Sequence, residues 1–332
     1  MPTIKAVPAV RLLMPTVVLA DDPKLDAQVF RDRLAADVSV APLDTPEAFR
    51  AAVREREADA VVAKGRLAVT HDLLAGLDAL AVYGQVSVGL DNVDVDAAAA
   101  LGVTVTHAPD YCVDEVATHS LSLLLACVRD VPAHDRRVSG GTWDVWAGPE
   151  LHRLSGDTVG LVAFGDIARG VADRLAGFGV DAVAYDPYVD AEVMREHGVE
   201  KVDAEGLRDA ADHLSVHAPL TDATRGLVDA AWFDALPERG VVVNTGRGGV
   251  VDENALLAAL DAGSIAAAGL DVFETEPPEG SPLVERDDVI ATPHVGWYSA
   301  EARAEANETV AADVDRALAG ETPVHAVGPG DR

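Results

Sequence analysis

The chain has 332 residues, 49% of them apolar, and a formal net charge of −30. That length favours two domains over a single core, and the apolar share excludes a disordered protein. So acidic a surface repels phosphate backbones and anionic lipids, so neither nucleic acid nor a membrane is an expected partner.

Residues 1–13 include Pro2 and Pro8 and read as an extension, with Met14 an alternative start. Thr16–Ala20, Asp37–Ala41, 58–63, 79–83 and 103–106 read as strands. Helix candidates lie between them at 24–36, Pro46–Arg56, 70–74 and 95–101. This β/α alternation predicts a parallel sheet. A long apolar helix over 114–128 leads into an irregular stretch, 140–153, that holds Trp143 and Trp146. A second β/α series runs from 158 to 291, and an alanine-rich helix over 299–318 follows it. The expectation is α/β, two units separated near residues 107 and 297, with the closing helix returning to the first. No stretch reads as a membrane span or a secretory leader, so a cytoplasmic location is expected.

The second series opens on a cofactor signal. Residues 159–170 read as a strand, a tight turn and a helix start, with Ala163, Gly165 and Ala168 where a dinucleotide fingerprint has three small residues. Alanine at the first place crowds the turn. About 20 residues past Gly165, the apolar run 182–185 ends in Asp186, placed to bond an adenosine ribose and to repel a 2′-phosphate. NAD is therefore preferred over NADP. Asp166 opposes a pyrophosphate, unless it caps the helix and faces solvent.

Three short apolar runs, 240–243, 266–270 and Val289–Ala291, each end in a chemical residue. The exits read Asn244-Thr245-Gly246-Arg247-Gly248, Asp271-Val272-Phe273-Glu274-Thr275-Glu276-Pro277 and Thr292-Pro293-His294. In an open parallel sheet such exits line one crevice. A fixed cation, a carboxylate and an imidazole there suit proton transfer to a carbonyl beside a carboxylate. Histidine exchanges a proton near neutral pH, a carboxylate fixes its tautomer, and arginine's fork holds two oxygens at once. Each of the three alone would be an ordinary loop residue.

Other features bound the reading. Lysine occurs only at Lys5, Lys24, Lys64 and Lys201, and acids are spread over the whole chain. That pattern predicts a halophilic protein whose self-repulsion is screened by dense counterions. Cys112 and Cys127 read as packing residues rather than a disulfide. His107, His119 and His217 lack metal-ligand spacing, so no metal is expected.

Over residues 16–318 the chain resembles the D-isomer-specific 2-hydroxyacid dehydrogenase family. The motifs are Gly89-Leu90-Asp91-Asn92-Val93-Asp94, Ala108-Pro109-Asp110-Tyr111-Cys112, His217-Ala218-Pro219-Leu220-Thr221 and the three strand exits. Ala184-Tyr185-Asp186-Pro187-Tyr188 and Trp297 are similar to the branch that contains the C-terminal-binding-protein corepressors. The resemblance implies a discontinuous flavodoxin-like substrate domain, 1–106 and 298–332, and a Rossmann-type NAD-binding domain, 107–297. It implies His294 as acid/base, Glu276 as its partner, Arg247 as the substrate cation, and backbone amides of Val88 and Gly89 for the substrate carboxylate. Asp271 would meet the nicotinamide carboxamide and His217 to Pro219 would border the cofactor. Gly165, Asp166, Ile167, Asp186 and Thr245 complete the cofactor set. Trp297 would wall the substrate pocket or pack at the domain hinge. Trp143 and Trp146 would bury a homodimer contact through the NAD-binding domain.

The implied activity is hydride transfer between NAD(H) and a small 2-keto or D-2-hydroxy acid. The alternative is an NAD(H)-sensing binding protein with little turnover. Ala163 and Ser87 both stand where the family has glycine. Regulatory C-terminal domains, found in some phosphoglycerate dehydrogenases, are not expected after the closing helix.

Overall fold

The computed structural model describes residues 14–330, so the extension expected at 1–13 lies outside the described residues. The chain divides into two compact units: residues up to Tyr111 with those from Ser299, and Cys112–Tyr298. The breaks therefore fall at 111/112 and 298/299, against 106/107 and 297/298 expected from the sequence.

The first unit is built on five parallel strands, β1 (Thr16–Ala20), β2 (Asp37–Ala41), β3 (Ala60–Ala63), β4 (Val82–Gln85) and β5 (Thr104–His107). They lie in the order β5-β4-β3-β1-β2, a flavodoxin-like arrangement, with a short antiparallel strand, Ala326–Val327, on β5. Helices cover both faces, so the central strands are apolar throughout rather than alternating. Phe49, Val61, Leu80 and Tyr83 fill one side of this core. The run at 79–83 was expected to be a strand, but the ladder begins only at Val82. Leu77 and Leu80 are buried in the turn before it. Apolar residues there anchor a turn, and the ladder ends instead on polar Gln85.

The long helix Ala300–Leu318 lies across this sheet. Gly84 makes the approach possible: a Cβ there would lie 2.8 Å from Val310 Cγ1. Two buried polar side chains fasten the helix. Asn307 accepts from Asp26 N at 2.8 Å and donates to Lys24 O at 3.0 Å. Asp313 accepts from Thr106 Oγ1 at 2.7 Å and from the amides of Val324 and His325 at 2.7 and 2.9 Å. Their buried groups are satisfied, so they specify position rather than cost stability.

The second unit holds seven parallel strands, β6 (Thr158–Val162), β7 (Asp181–Tyr185), β8 (Glu200–Lys201), β9 (His213–Val216), β10 (Val241–Asn244), β11 (Ala267–Leu270) and β12 (Val289–Ala291). Their order is β12-β11-β10-β9-β6-β7-β8, so the winding reverses between β6 and β9. A doubly wound sheet binds its ligand outside the strand ends at that reversal. The apolar helix Val113–Val128 packs on β10 and β11. After the helix Val131–Ser139 the chain is irregular, and Trp143 and Trp146 are 90% and 87% exposed.

Candidate active site

At the reversal, β6 passes through a turn into the helix Asp166–Leu175. Ala163 takes φ +71, a left-handed conformation costly for a residue with a Cβ, and its N–H donates to Tyr185 O at 2.9 Å. Gly165 is the N-cap and offers no side-chain cap, and a Cβ added there would meet nothing within 4 Å. Uncapped first-turn amides beside open space form a cradle for a phosphate. Asp166 does not cap the helix, because it is already its first helical residue. It is exposed and pairs with Arg169 Nη1 at 3.0 Å, which offsets its charge beside that cradle. Ile167 is half-buried in the same first turn.

Asp186 sits at the end of β7, buried, with Oδ2 accepting from Phe164 N at 2.9 Å and Oδ1 from Tyr188 N at 2.8 Å. The carboxylate is thus fixed beside the turn, and each oxygen retains a second lone pair for a ribose hydroxyl. Across the reversal, His217 N donates to Val162 O at 2.9 Å, and its ring Nε2 lies 2.8 Å from Ser215 Oγ. Burial pushes this imidazole down to about 4, so it is neutral. Thr245 is buried between His217 Nδ1 at 3.4 Å and Ser120 Oγ at 2.7 Å, while Pro219 is exposed and its carbonyl accepts from Thr224. These residues fit NAD: an open anion cradle, a buried carboxylate about 20 residues past the turn, and a neutral border.

The Arg247, Glu276 and His294 loops leave β10, β11 and β12, which are neighbours in the sheet. Asn244 staples the first loop, donating to Arg247 O at 3.0 Å and accepting from Gly246 N at 3.1 Å. Gly248 lets that loop meet the second, since a Cβ there would fall 1.9 Å from Phe273 C. Arg247 is half-buried and donates from Nη1 to Gly246 O at 2.9 Å. Glu276 Oε2 lies 2.8 Å from His294 Nδ1, and its Oε1 accepts from Phe273 N at 3.2 Å. Burial alone would raise the Glu276 carboxyl, but the His294 bond and charge hold it below the usual range, so it is ionised. His294 takes φ +52.

Asp271 is buried, and both its oxygens are used within the protein. Oδ1 accepts from Thr292 Oγ1 at 2.7 Å and Val295 N at 2.8 Å, and Oδ2 from Gly296 N at 2.9 Å. Burial would raise this carboxyl, yet bonds from His119, Thr292, Gly296 and Val295 lower it. Trp297 follows on the same loop, half-buried, with Tyr298 edge-on at 5.4 Å.

Val88 and Gly89 belong to the first unit. Ser87 O accepts from Ala108 N at 3.2 Å and Val88 O lies 2.8 Å from His107 Nδ1. In a trans peptide the N–H opposes the C=O, so the amides of Val88 and Gly89 face away from β5. Neither donates to another described residue. Ser87 Oγ donates to Gly89 O at 2.9 Å, and Gln85 Nε2 donates to Gly89 O at 2.7 Å and to Asn92 Oδ1 at 3.0 Å. The sequence reading did not pick out Gln85, His107, His119, Ser120 or Asn244 as site residues. Only Asn244 carried a signal, as part of its strand-exit motif. Among the described residues no group of three or more His, Cys, Asp or Glu could hold a metal, and no helix is long and apolar enough to cross a membrane.

Fold and site together define a two-unit α/β protein with a doubly wound dinucleotide-type unit. A family profile described as "D-isomer specific 2-hydroxyacid dehydrogenase, NAD binding domain" matches residues 121–296. D-3-phosphoglycerate dehydrogenase of Mycobacterium tuberculosis is 41% identical over 319 residues, covering 96% of this chain and 59% of that protein. Hydroxypyruvate reductase of Thermotoga maritima is 37% identical over 252 residues, covering 74% of this chain and 80% of that protein. The glyoxylate/hydroxypyruvate reductase of Sinorhizobium meliloti, solved with NADP and malonate, superposes with a TM-score of 0.82. It is 30% identical, with 95% of this chain and 97% of that one covered. The chain belongs to the D-isomer-specific 2-hydroxyacid dehydrogenase family. It spans 59% of the length of the mycobacterial relative. The corepressor-like branch suggested by residues 184–188 and Trp297 is not singled out by these relatives.

Proposed function

We propose that this chain is an oxidoreductase that transfers hydride between NAD(H) and a small 2-keto or D-2-hydroxy acid. The carrying observation is the 2.8 Å pairing of His294 Nδ1 with Glu276 Oε2, beside the loop that bears Arg247. When bound, NADH supplies the hydride. The guanidinium of Arg247 holds the carbonyl and carboxylate oxygens and steadies the charge that grows on the carbonyl oxygen. The amides of Val88 and Gly89 are assigned to the substrate carboxylate. With Nδ1 donating to ionised Glu276, Nε2 is the nitrogen that gives its proton to that oxygen. In the oxidation direction Nε2 takes the proton back.

Gly165, Asp166, Ile167, Asp186, His217, Pro219, Thr245 and Asp271 are assigned to the cofactor, and Trp297 to the substrate wall. The Asp186 carboxylate favours NAD, because a 2′-phosphate would meet a fixed negative charge there. Residues 107–297 are assigned to cofactor binding, and 1–106 with 298–332 to the substrate. The protein is further proposed to be a cytoplasmic homodimer in a high-salt cell. Exposed Trp143, Val145 and Trp146 support the dimer, and the charge supports the salt. The paired His294 and Glu276 favour turnover over dinucleotide sensing. A steady-state panel of glyoxylate, hydroxypyruvate and pyruvate with NADH, in molar KCl, tests the reading. Turnover of at least one keto acid is expected, whereas NADH binding without turnover of any would favour the sensor.

A further inference from the structure

His119 projects from the helix Val113–Val128 and reaches two strand exits at once. Its Nε2 lies 3.1 Å from Thr292 Oγ1 and 3.4 Å from Asp271 Oδ1. Thr292 spends its hydroxyl proton on Asp271, at 2.7 Å, so its oxygen is left to accept from His119. Asp271 in turn accepts from the amides of Val295 and Gly296, the two residues directly after His294. The N–H of His294 donates to the Asp271 carbonyl at 2.9 Å. This grip matters because φ +52 at His294 is a conformation a non-glycine residue keeps only when its surroundings over-determine it. Gly296 closes the stack: a Cβ there would lie 2.8 Å from Asp271 Oδ2 and 3.2 Å from His119 Cδ2.

We propose that His119 is a positioning residue for proton transfer, holding Asp271 so that the carboxylate anchors the loop that aims His294. This rests on the reading of His294 as the acid/base. His119 touches neither substrate nor reacting atoms; it acts through Asp271. The groups that face Asp271 are His119 from the helix, the Thr292 hydroxyl and the two loop amides. Glu276 is near enough to feel its charge. Removing His119 takes one of the bonds that keep the buried carboxylate ionised. A protonated Asp271 accepts less well, the amides of Val295 and Gly296 lose their partner, and His294 drifts from its line of attack.

The test uses His119→Ala and His119→Gln in the full chain, with two readouts. One is kcat and KM for NADH-dependent reduction of hydroxypyruvate across pH. In that direction His294 must be protonated, so the acid limb reports the carboxylates. The other is amide hydrogen exchange over residues 292–297 without ligand. His119→Ala is expected to lower kcat roughly ten- to a hundredfold, as a small misplacement of a reacting group does. The acid limb should move to higher pH, and exchange at Val295 and Gly296 should quicken. His119→Gln, whose amide can donate from the Nε2 position, should restore most of each effect. Unchanged kcat, acid limb and local exchange in His119→Ala would overturn the proposal. So would equal loss in both variants with faster exchange throughout the chain, the mark of a merely structural role. If the unmodified protein turns over no keto acid, the His294 reading fails by itself, and local exchange in the two variants still decides whether His119 holds this loop.

Discussion

Two residues with side chains sit in left-handed backbone at the two halves of the site: Ala163 at φ +71 in the cofactor turn and His294 at φ +52 beside Glu276. Both conformations are held by bonds from other strand ends, which places strain where geometry matters most. Asp186→Ala should weaken NADH by more than it weakens NADPH in fluorescence titrations, because of the two cofactors only NADH offers that carboxylate a 2′-hydroxyl. Equal weakening would mean that the carboxylate does not read the ribose. Arg247→Lys should lower kcat/KM by roughly a hundredfold, since a point charge replaces a planar fork. A loss of less than threefold would remove Arg247 from the substrate. At this scale the strand-exit motifs made the Glu276–His294 pair legible, since both residues stand in them. The sequence was silent on His119, because a lone histidine on an apolar helix carries no sign of the strand exits it will touch.

The exits of β10, β11 and β12 form one site because their loops are small enough to interlock. Gly248 is the clearest case. Gly248→Ala puts a methyl group into the Phe273 carbonyl, and the backbone must shift. Overpacking of that kind costs about 1–3 kcal/mol, so a lower Tm together with loss of turnover is expected. A variant with unchanged Tm and activity would show that the two loops do not depend on each other. Strand identity was readable from apolar runs, and Thr16–Ala20, Asp37–Ala41 and Val289–Ala291 match the observed strands. The run at 79–83 misled because Leu80 is apolar for burial in a turn, not for ladder pairing. The Gln85 and Asn92 network was hidden for the opposite reason. Polar residues read as solvent-facing until their buried partners are known.

Across the molecule, stability should follow pH in two stages. His217, His107 and His213 are pushed below the usual 6.5 by burial, His217 to about 4. Burial favours their neutral form in the fold, so the unfolded chain binds more protons below 6.5. Stability therefore falls as pH drops below about 6.5, as far as about 4 for His217, by no more than about 1.4 kcal/mol per pH unit for each group. Asp271, Glu276 and Asp313 are held low in the fold, chiefly by hydrogen bonds that outweigh burial. Their contribution is complete above the ordinary carboxylate range and is lost below it, through their lowered folded values. Thermal melts from pH 8 to 3 check this, and a flat Tm between pH 6.5 and 4.5 would contradict the histidine part. The charge of −30 predicts a Tm that climbs with KCl into the molar range, as counterions screen carboxylate repulsion. A flat or falling curve would refute a high-salt origin.

The proposed role of His294, backed by Glu276, is to carry the proton to a ketone. Its most direct test is single-turnover reduction of hydroxypyruvate by NADH in the unmodified protein and in His294→Ala, with NADH affinity measured in parallel. A loss of roughly 10²–10⁴-fold in the variant's rate is expected, with NADH affinity nearly unchanged. A variant that reduces the keto acid at the unmodified rate would contradict it.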